Sequence, residues 1–301
     1  MKVIDPITVT EDDLVSSVAE DEPVWDSGTT YAANVTVRGT GLFEHKLFVS
    51  LQAANLNKVP GASTSSTWWL ETGAANRWRM FDASLSSQTA DADEISVTIT
   101  LPDLVTGIAL LNIEAATARI VVTDAVEGVV WDVTYDLTDP GGIVDPYAYA
   151  FDPILRRADL VELELPAFAG AEIEITLADP GATVRWGVCA LGRVQDLGGT
   201  QWGPVLGIQD FSVIEQDAFA NYRIVERAFI RKASFALMIE NRFVDALMRL
   251  LSGFRARAVV YIGDEDFGST IVFGFYEDFS TAIPWPTRSL LSINLKGLPA
   301  T

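Results

Sequence analysis

The chain is poor in the residues that most often do chemistry. Among its 301 residues there is one cysteine and one histidine. Cys189 has no partner for an intramolecular disulfide, and its place in the apolar run VRWGVCALG predicts a buried, inert thiol. His45, in GLFEHKLFVSL, alternates with apolar neighbours as a strand residue does. A zinc site needs more nitrogen or sulfur ligands than this pair supplies, and a Ser-His-Asp triad would have to use His45. His45 therefore reads as structural or surface-binding. No G-x-S-x-G, G-x-x-x-x-G-K-[ST] or G-x-G-x-x-G stretch stands between a strand and a helix. Neither a metal nor a cofactor is expected.

Positive charge is scarce too. The 21 basic residues face 41 acidic ones, a formal charge of −20. Such a chain repels nucleic-acid phosphates and anionic lipid surfaces, so nucleic acid is not an expected partner. Apolar runs fall far short of the ~20 residues of a membrane helix, and the opening MKVIDPITVTEDD lacks the apolar core of a secretion signal. The expectation is a soluble chain with no membrane insertion. Carboxylates are plentiful, but no pair is singled out by spacing, which leaves a two-carboxylate glycosidase as a remote alternative. GDEDFGS (263–269) gathers oxygen ligands without the length or closing glutamate of an EF-hand, and reads as a solvated hairpin turn.

What is abundant is period-two alternation. EISVTITL (94–101), ARIVVTD (118–124), VVWDVTYDL (129–137), LVELEL (160–165) and EIEITL (172–177) each place apolar residues on one face, and turn signals such as DPGG (139–142) and ADPGA (178–182) separate them. Short strands at this spacing predict an antiparallel sandwich or jelly roll over 76–200. Before it, 1–75 reads as an N-terminal arm and a small, turn-rich β module holding Trp25, Trp68 and Trp69. After 200 the period changes. Phe243, Val244, Leu247, Leu250 and Leu251 recur at helical spacing with Gly253 as a stop, and strands at 227–238, 256–263, 269–280 and 288–297 flank the helix. Residues 201–301 thus read as an α+β unit in which one principal helix covers a sheet. The fold class is mainly β. In VFGFYEDF (272–279) the imperfect alternation predicts a bulge at Gly274, and Trp285, between two prolines, sits in an extended turn from which it can plug into a neighbouring subunit.

Four of the eight tryptophans lie in the first 80 residues. They either fill a very small core or form a flat aromatic surface. Trp68 and Trp69, adjacent in a strand, point to opposite faces, so one of them is expected to be exposed. NRWRMFD (76–82) reads as a lock between module and jelly roll, through Trp78 and Phe81 packing and an Arg77 contact to Asp82 or backbone.

VWDSGTTYAANVTV (24–37) followed by HKLFVSLQAANLNKVPGASTSSTWWLETGAANRWRMFD (45–82) resembles a pattern found in tail proteins of long-tailed bacteriophages. Its first part also resembles the small chitin-binding modules of secreted glycosidases. GIALLNIEAATARIVV (107–122) and VRWGVCALGRVQDLGGTQWG (184–203) are similar to the galactose-binding-type jelly roll of such tail proteins. VDALMRLLSGFRARAVVYIGD (244–264) with VFGFYEDFSTAI (272–283) resembles the α+β assembly domain of distal-tail and baseplate proteins. The resemblance implies a virion structural protein of the tail tip, made in the bacterial cytoplasm and not an enzyme. It would form or decorate a six-fold ring, beside tail-tube, hub and tape-measure-type proteins, with edge strands of the C-terminal sheet paired between subunits. It also implies an alternative role in host attachment. There envelope glycans would stack on Trp25, Tyr31 and Trp68 or Trp69, oriented by hydrogen bonds from Asn55 or Asn76.

Overall fold

The computed structural model describes residues 1–20, 22–139, 141, 145–151, 153–216, 219–265 and 267–300. Pro140 and Gly142 of the DPGG turn and Asp266 of the GDEDFGS turn lie outside these residues. The protein is mainly β with one principal helix. An N-terminal arm holds β1 (Lys2–Pro6) and β2 (Leu14–Ser16). The small module holds β3 (Thr30–Tyr31), β4 (Thr36–Arg38), β5 (Lys46–Ser50), β6 (Asn55–Leu56) and β7 (Trp69–Ala74). The sandwich follows with β8 (Thr89–Thr100), β9 (Gly107–Glu114), β10 (Thr117–Asp124), β11 (Gly128–Asp136), a short α1 (Pro146–Phe151), β12 (Asp159–Glu162) and β13 (Glu172–Asp196). The C-terminal unit comprises β14 (Gly199–Thr200), β15 (Val205–Asp210), β16 (Val213–Gln216), β17 (Tyr222–Val225), β18 (Phe229–Glu240), α2 (Val244–Gly253), β19 (Val259–Ile262), β20 (Ile271–Ala282) and β21 (Arg288–Ala300). Among the described residues no helix is long and apolar enough to cross a membrane.

The alternation works as the pleat requires. Ile95, Val97 and Ile99 of β8 and Ile173, Ile175 and Leu177 of β13 point into one core around Trp186, while Glu94 and Thr98 face out. The ADPGA segment is not the turn that its composition predicts. β13 runs through it as one strand of 25 residues. The register against β8 slips between Ala178 and Thr183, where Gly181 takes φ +86° and donates its N–H to Asp93 Oδ1 at 2.7 Å. Asp93 is itself left-handed, at φ +63°. Both strands kink together at this bulge and stay paired beyond it, so the strand bends without reversing.

β13 then pairs with β9 and, at its far end, with β1. β1 pairs on its other edge with β19, so one sheet continues from the sandwich into the C-terminal unit. Successive residues of β1 serve different cores. Val3 enters the one beneath α2, and Ile4 enters a third cluster with Ala109, Val188, Val260, Ile262 and Phe273. The N-terminal arm is thus stitched into the sandwich and the C-terminal sheet, and β2 pairs with β8.

In the C-terminal unit the antiparallel order is β19, β20, β21, β18. Leu247, Leu251 and Phe254 pack against Phe235, Tyr261 and Ile293. Phe243, expected on the buried stripe, belongs to a preceding 3-10 turn and is 47% exposed. The bulge in β20 falls between Tyr276 and Asp278, not at Gly274. Gly274 has another reason to be glycine: a Cβ there would lie 2.1 Å from the Lys296 carbonyl oxygen.

Candidate functional site

The small module has two sheets, β4–β5–β7 and β3–β6, around a core of Tyr31, Val37, Phe48 and Trp69. The edge of the Tyr31 ring meets Trp69 at 5.4 Å between centroids, and its hydroxyl accepts the Asp26 N–H at 2.7 Å. The Trp69 indole donates to the Lys58 carbonyl at 2.6 Å. Asn55 is fully buried and donates to Ser50 Oγ at 3.0 Å. Asn76 acts as a piece of backbone: its side chain accepts the Ala90 N–H at 3.0 Å and donates to the Ala90 carbonyl at 2.9 Å.

Burial therefore withdraws Tyr31, Asn55, Trp69 and Asn76 from the expected sugar-binding face. A unit this small has to make its interior from its largest side chains. Trp25 and Trp68 remain half-buried against the same core. Lys58 Nζ stands 5.5 Å from the Trp68 ring centroid, a cation over an aromatic face. Of the adjacent pair, Trp69 is the inward ring and Trp68 the one that keeps contact with solvent.

The expected lock between module and sandwich is present with a different ion pair. Trp78 packs on Phe81 at 5.9 Å and on His45 at 5.9 Å. Arg77 pairs with Glu11 of the N-terminal arm, not with Asp82. Asp82 instead accepts the Ser84 N–H at 2.8 Å and the Ser87 hydroxyl. Burial outweighs these bonds and pushes its carboxyl above the usual range. A cleft of about 840 Å³ opens over Trp78, Phe81, His45, Leu42 and Glu71. Cys189 is buried in the sandwich, which pushes its thiol up. Among the described residues no group of three or more His, Cys, Asp or Glu is placed to hold a metal ion.

Several exposed apolar side chains lie on the segment from β15 to β17. β15 pairs with β18 through Val205↔Ser234 to Asp210↔Phe229, and β16 pairs with β17 beyond that point. The two pairs form one long arm whose outer half belongs to no larger sheet. Ile214 stands opposite Ile224, and Tyr222 lies on the same face two residues from Ile224. They are 67%, 69% and 65% exposed, and Trp202 near the root of the arm is 95% exposed. The signal in the sequence was the alternation of Ile214 with Glu215 and of Tyr222 and Ile224 with Arg223, which sets one apolar and one polar face on the ribbon. Comparison with known proteins finds no matching family model, no matching curated protein and no matching solved structure.

Proposed function

We propose that the protein is a structural component of a phage tail tip, forming or decorating a ring around the tail axis and performing no catalysis. The observation that carries this reading is the apolar arm. An isolated two-stranded ribbon is marginal in water, and one with an apolar face this exposed is completed by another chain. The continuous sheet behind it supplies a stiff base. Six copies of the chain, beside tail-tube, hub and tape-measure-type proteins, are the partners that the sequence resemblance supplies, and the virion tail tip is the corresponding location.

Native mass measurement with negative-stain imaging tests the reading. Closed rings of about six copies are the expected result. A chain that stays monomeric at every concentration, and fails to bind preformed tail tubes, would sink it. Host-glycan attachment is the second reading, favoured by one observation: the partly exposed Trp68 beneath Lys58, with Trp25 packed against the same core. A glycan array with wild-type protein and Trp68→Ala checks it. Binding lost in the variant supports attachment, and an array without signal leaves the module architectural.

A further inference from the structure

We propose that the cleft beside Trp78 binds a small organic ammonium ion, a positive charge carried on an aromatic or apolar body. The proposal concerns a different surface from the ring reading above and stands apart from it.

Three parts of the chain meet at this cleft. Its lining comes from 8–11 in the N-terminal arm, from 41–46 and 71–74 in the small module, and from 78–84 in the connection to β8. Its volume of about 840 Å³ is that of a site for a small molecule, and such sites favour seams between structural units. The apolar part of the lining is Val9 and Trp78, both buried, with half-buried Phe81 and with Leu42, which is 88% exposed. A ring or an aliphatic chain lying there is sheltered from water.

Charge selects what that body carries. Glu11, Glu44, Glu71 and Asp82 line the cleft, and Lys46 is the one lysine or arginine that does so. Two of the carboxylates are neutralised within the chain: Lys46 meets Glu71 at 2.8 Å, and Arg77 meets Glu11. Glu44 and Asp82 have no ion-pair partner among the described residues. Asp82 is the more telling of the two. It is half-buried, and burial raises its carboxyl, while the bonds from Ser87 and Ser84 and the field of Arg79 offset that only in part. Such a group is short of countercharge, and a cation brought in by a ligand supplies it. In a chain of −20 the field inside a cleft with low-dielectric walls draws cations in and turns anions away. A neutral ligand gains nothing from that field.

The test uses the full chain and three ligands with the same ring and side chain but different charge: phenethylamine, phenethyl alcohol and hydrocinnamate, each titrated by calorimetry at neutral pH. His45 is the one histidine of the chain and lines the cleft, so its ring-proton resonances locate the ligand. Phenethylamine is expected to bind and to shift the His45 resonances. The alcohol should bind roughly tenfold more weakly, and hydrocinnamate more weakly still. Glu44→Gln with Asp82→Asn removes both charges at nearly constant shape, and is expected to bring the amine down to the level of the alcohol. Should that variant not fold, Glu44→Gln alone changes an exposed side chain and is expected to weaken the amine about threefold. Equal binding of amine and alcohol would overturn the proposal, as would tighter binding of hydrocinnamate. Binding that leaves His45 unmoved would place the ligand elsewhere and overturn it too. No binding of phenethylamine at millimolar concentration would end it outright.

Discussion

Trp69 and Trp68 are chemically identical neighbours with opposite duties. Trp69 is 4% exposed and ties the Lys58 carbonyl, whereas Trp68 is half-buried under a lysine. Trp69→Ala is expected to destabilise the module by about 3–5 kcal/mol, and Trp68→Ala by less than ~1.5 kcal/mol. Thermal melts followed by tryptophan fluorescence measure the difference, and equal effects would refute the assigned core. Carboxylates give a second prediction at this scale. The Thr10 hydroxyl and N–H bond Asp13, the Glu127 and Val126 N–H groups bond Asp124, and the Thr138 N–H bonds Asp136, each holding its carboxyl below the usual range. A depressed folded-state value adds stability that is present above the unfolded value of ~4 and is lost as pH falls through the folded one. Asp82, whose carboxyl is raised, has the opposite sign and favours the protonated side. These three groups are therefore expected to lower Tm modestly between about pH 5 and pH 3, and Asp13→Asn should flatten part of that slope. That one of Trp68 and Trp69 faces inward was legible from adjacency in a strand. Which of them does so was not, because the answer depends on where β5 and Lys58 lie.

At the scale of elements, glycines and bulges decide how strands continue. Gly274 sits where β20 presses on β21, with no room for a methyl group before the Lys296 carbonyl. Gly274→Ala is expected to cost about 2 kcal/mol or more through backbone displacement, measurable by urea denaturation. Gly181 stands in open space at φ +86°, so Gly181→Ala should cost only about 1 kcal/mol of left-handed strain. Alternation located β8, β10, β11, β18 and α2 within a few residues. It misread ADPGA because Asp-Pro-Gly marks a change of direction without distinguishing a reversal from a bend. The partner strand decides between the two, and here Asp93 follows the kink and holds it. The apolar arm escaped notice for a related reason: an exposed apolar strand and a core strand look alike until their neighbours are known.

On the scale of the whole molecule, β1 sews the sandwich to the C-terminal sheet, with Val3 and Ile4 each fully buried. Sandwich and C-terminal unit are expected to unfold in one calorimetric transition. Ile4→Ala, at about 2–5 kcal/mol, should lower that transition or split it. A variant that leaves the profile unchanged would show that the shared core is not the coupling. The charge of −20 makes a further prediction for assembly. Raising salt from about 0.05 M to about 0.5 M should increase the assembled fraction by screening repulsion between copies, as sedimentation velocity would report. A decrease would mean that attractive pairs at the interface outweigh the net charge.

The sequence by itself determined the mainly β class, the single helix beneath a C-terminal sheet, the burial of Cys189 and the packing of Trp78 with Phe81. These follow from periodicity and side-chain chemistry, which act over a few neighbouring residues. The tertiary structure alone decided that Tyr31, Asn55, Trp69 and Asn76 face inward, that Arg77 reaches Glu11, that the first strand joins two units, and that Ile214, Tyr222 and Ile224 stay exposed. Each of these depends on contacts between residues far apart in the chain, where local pattern carries no information on which surface meets which.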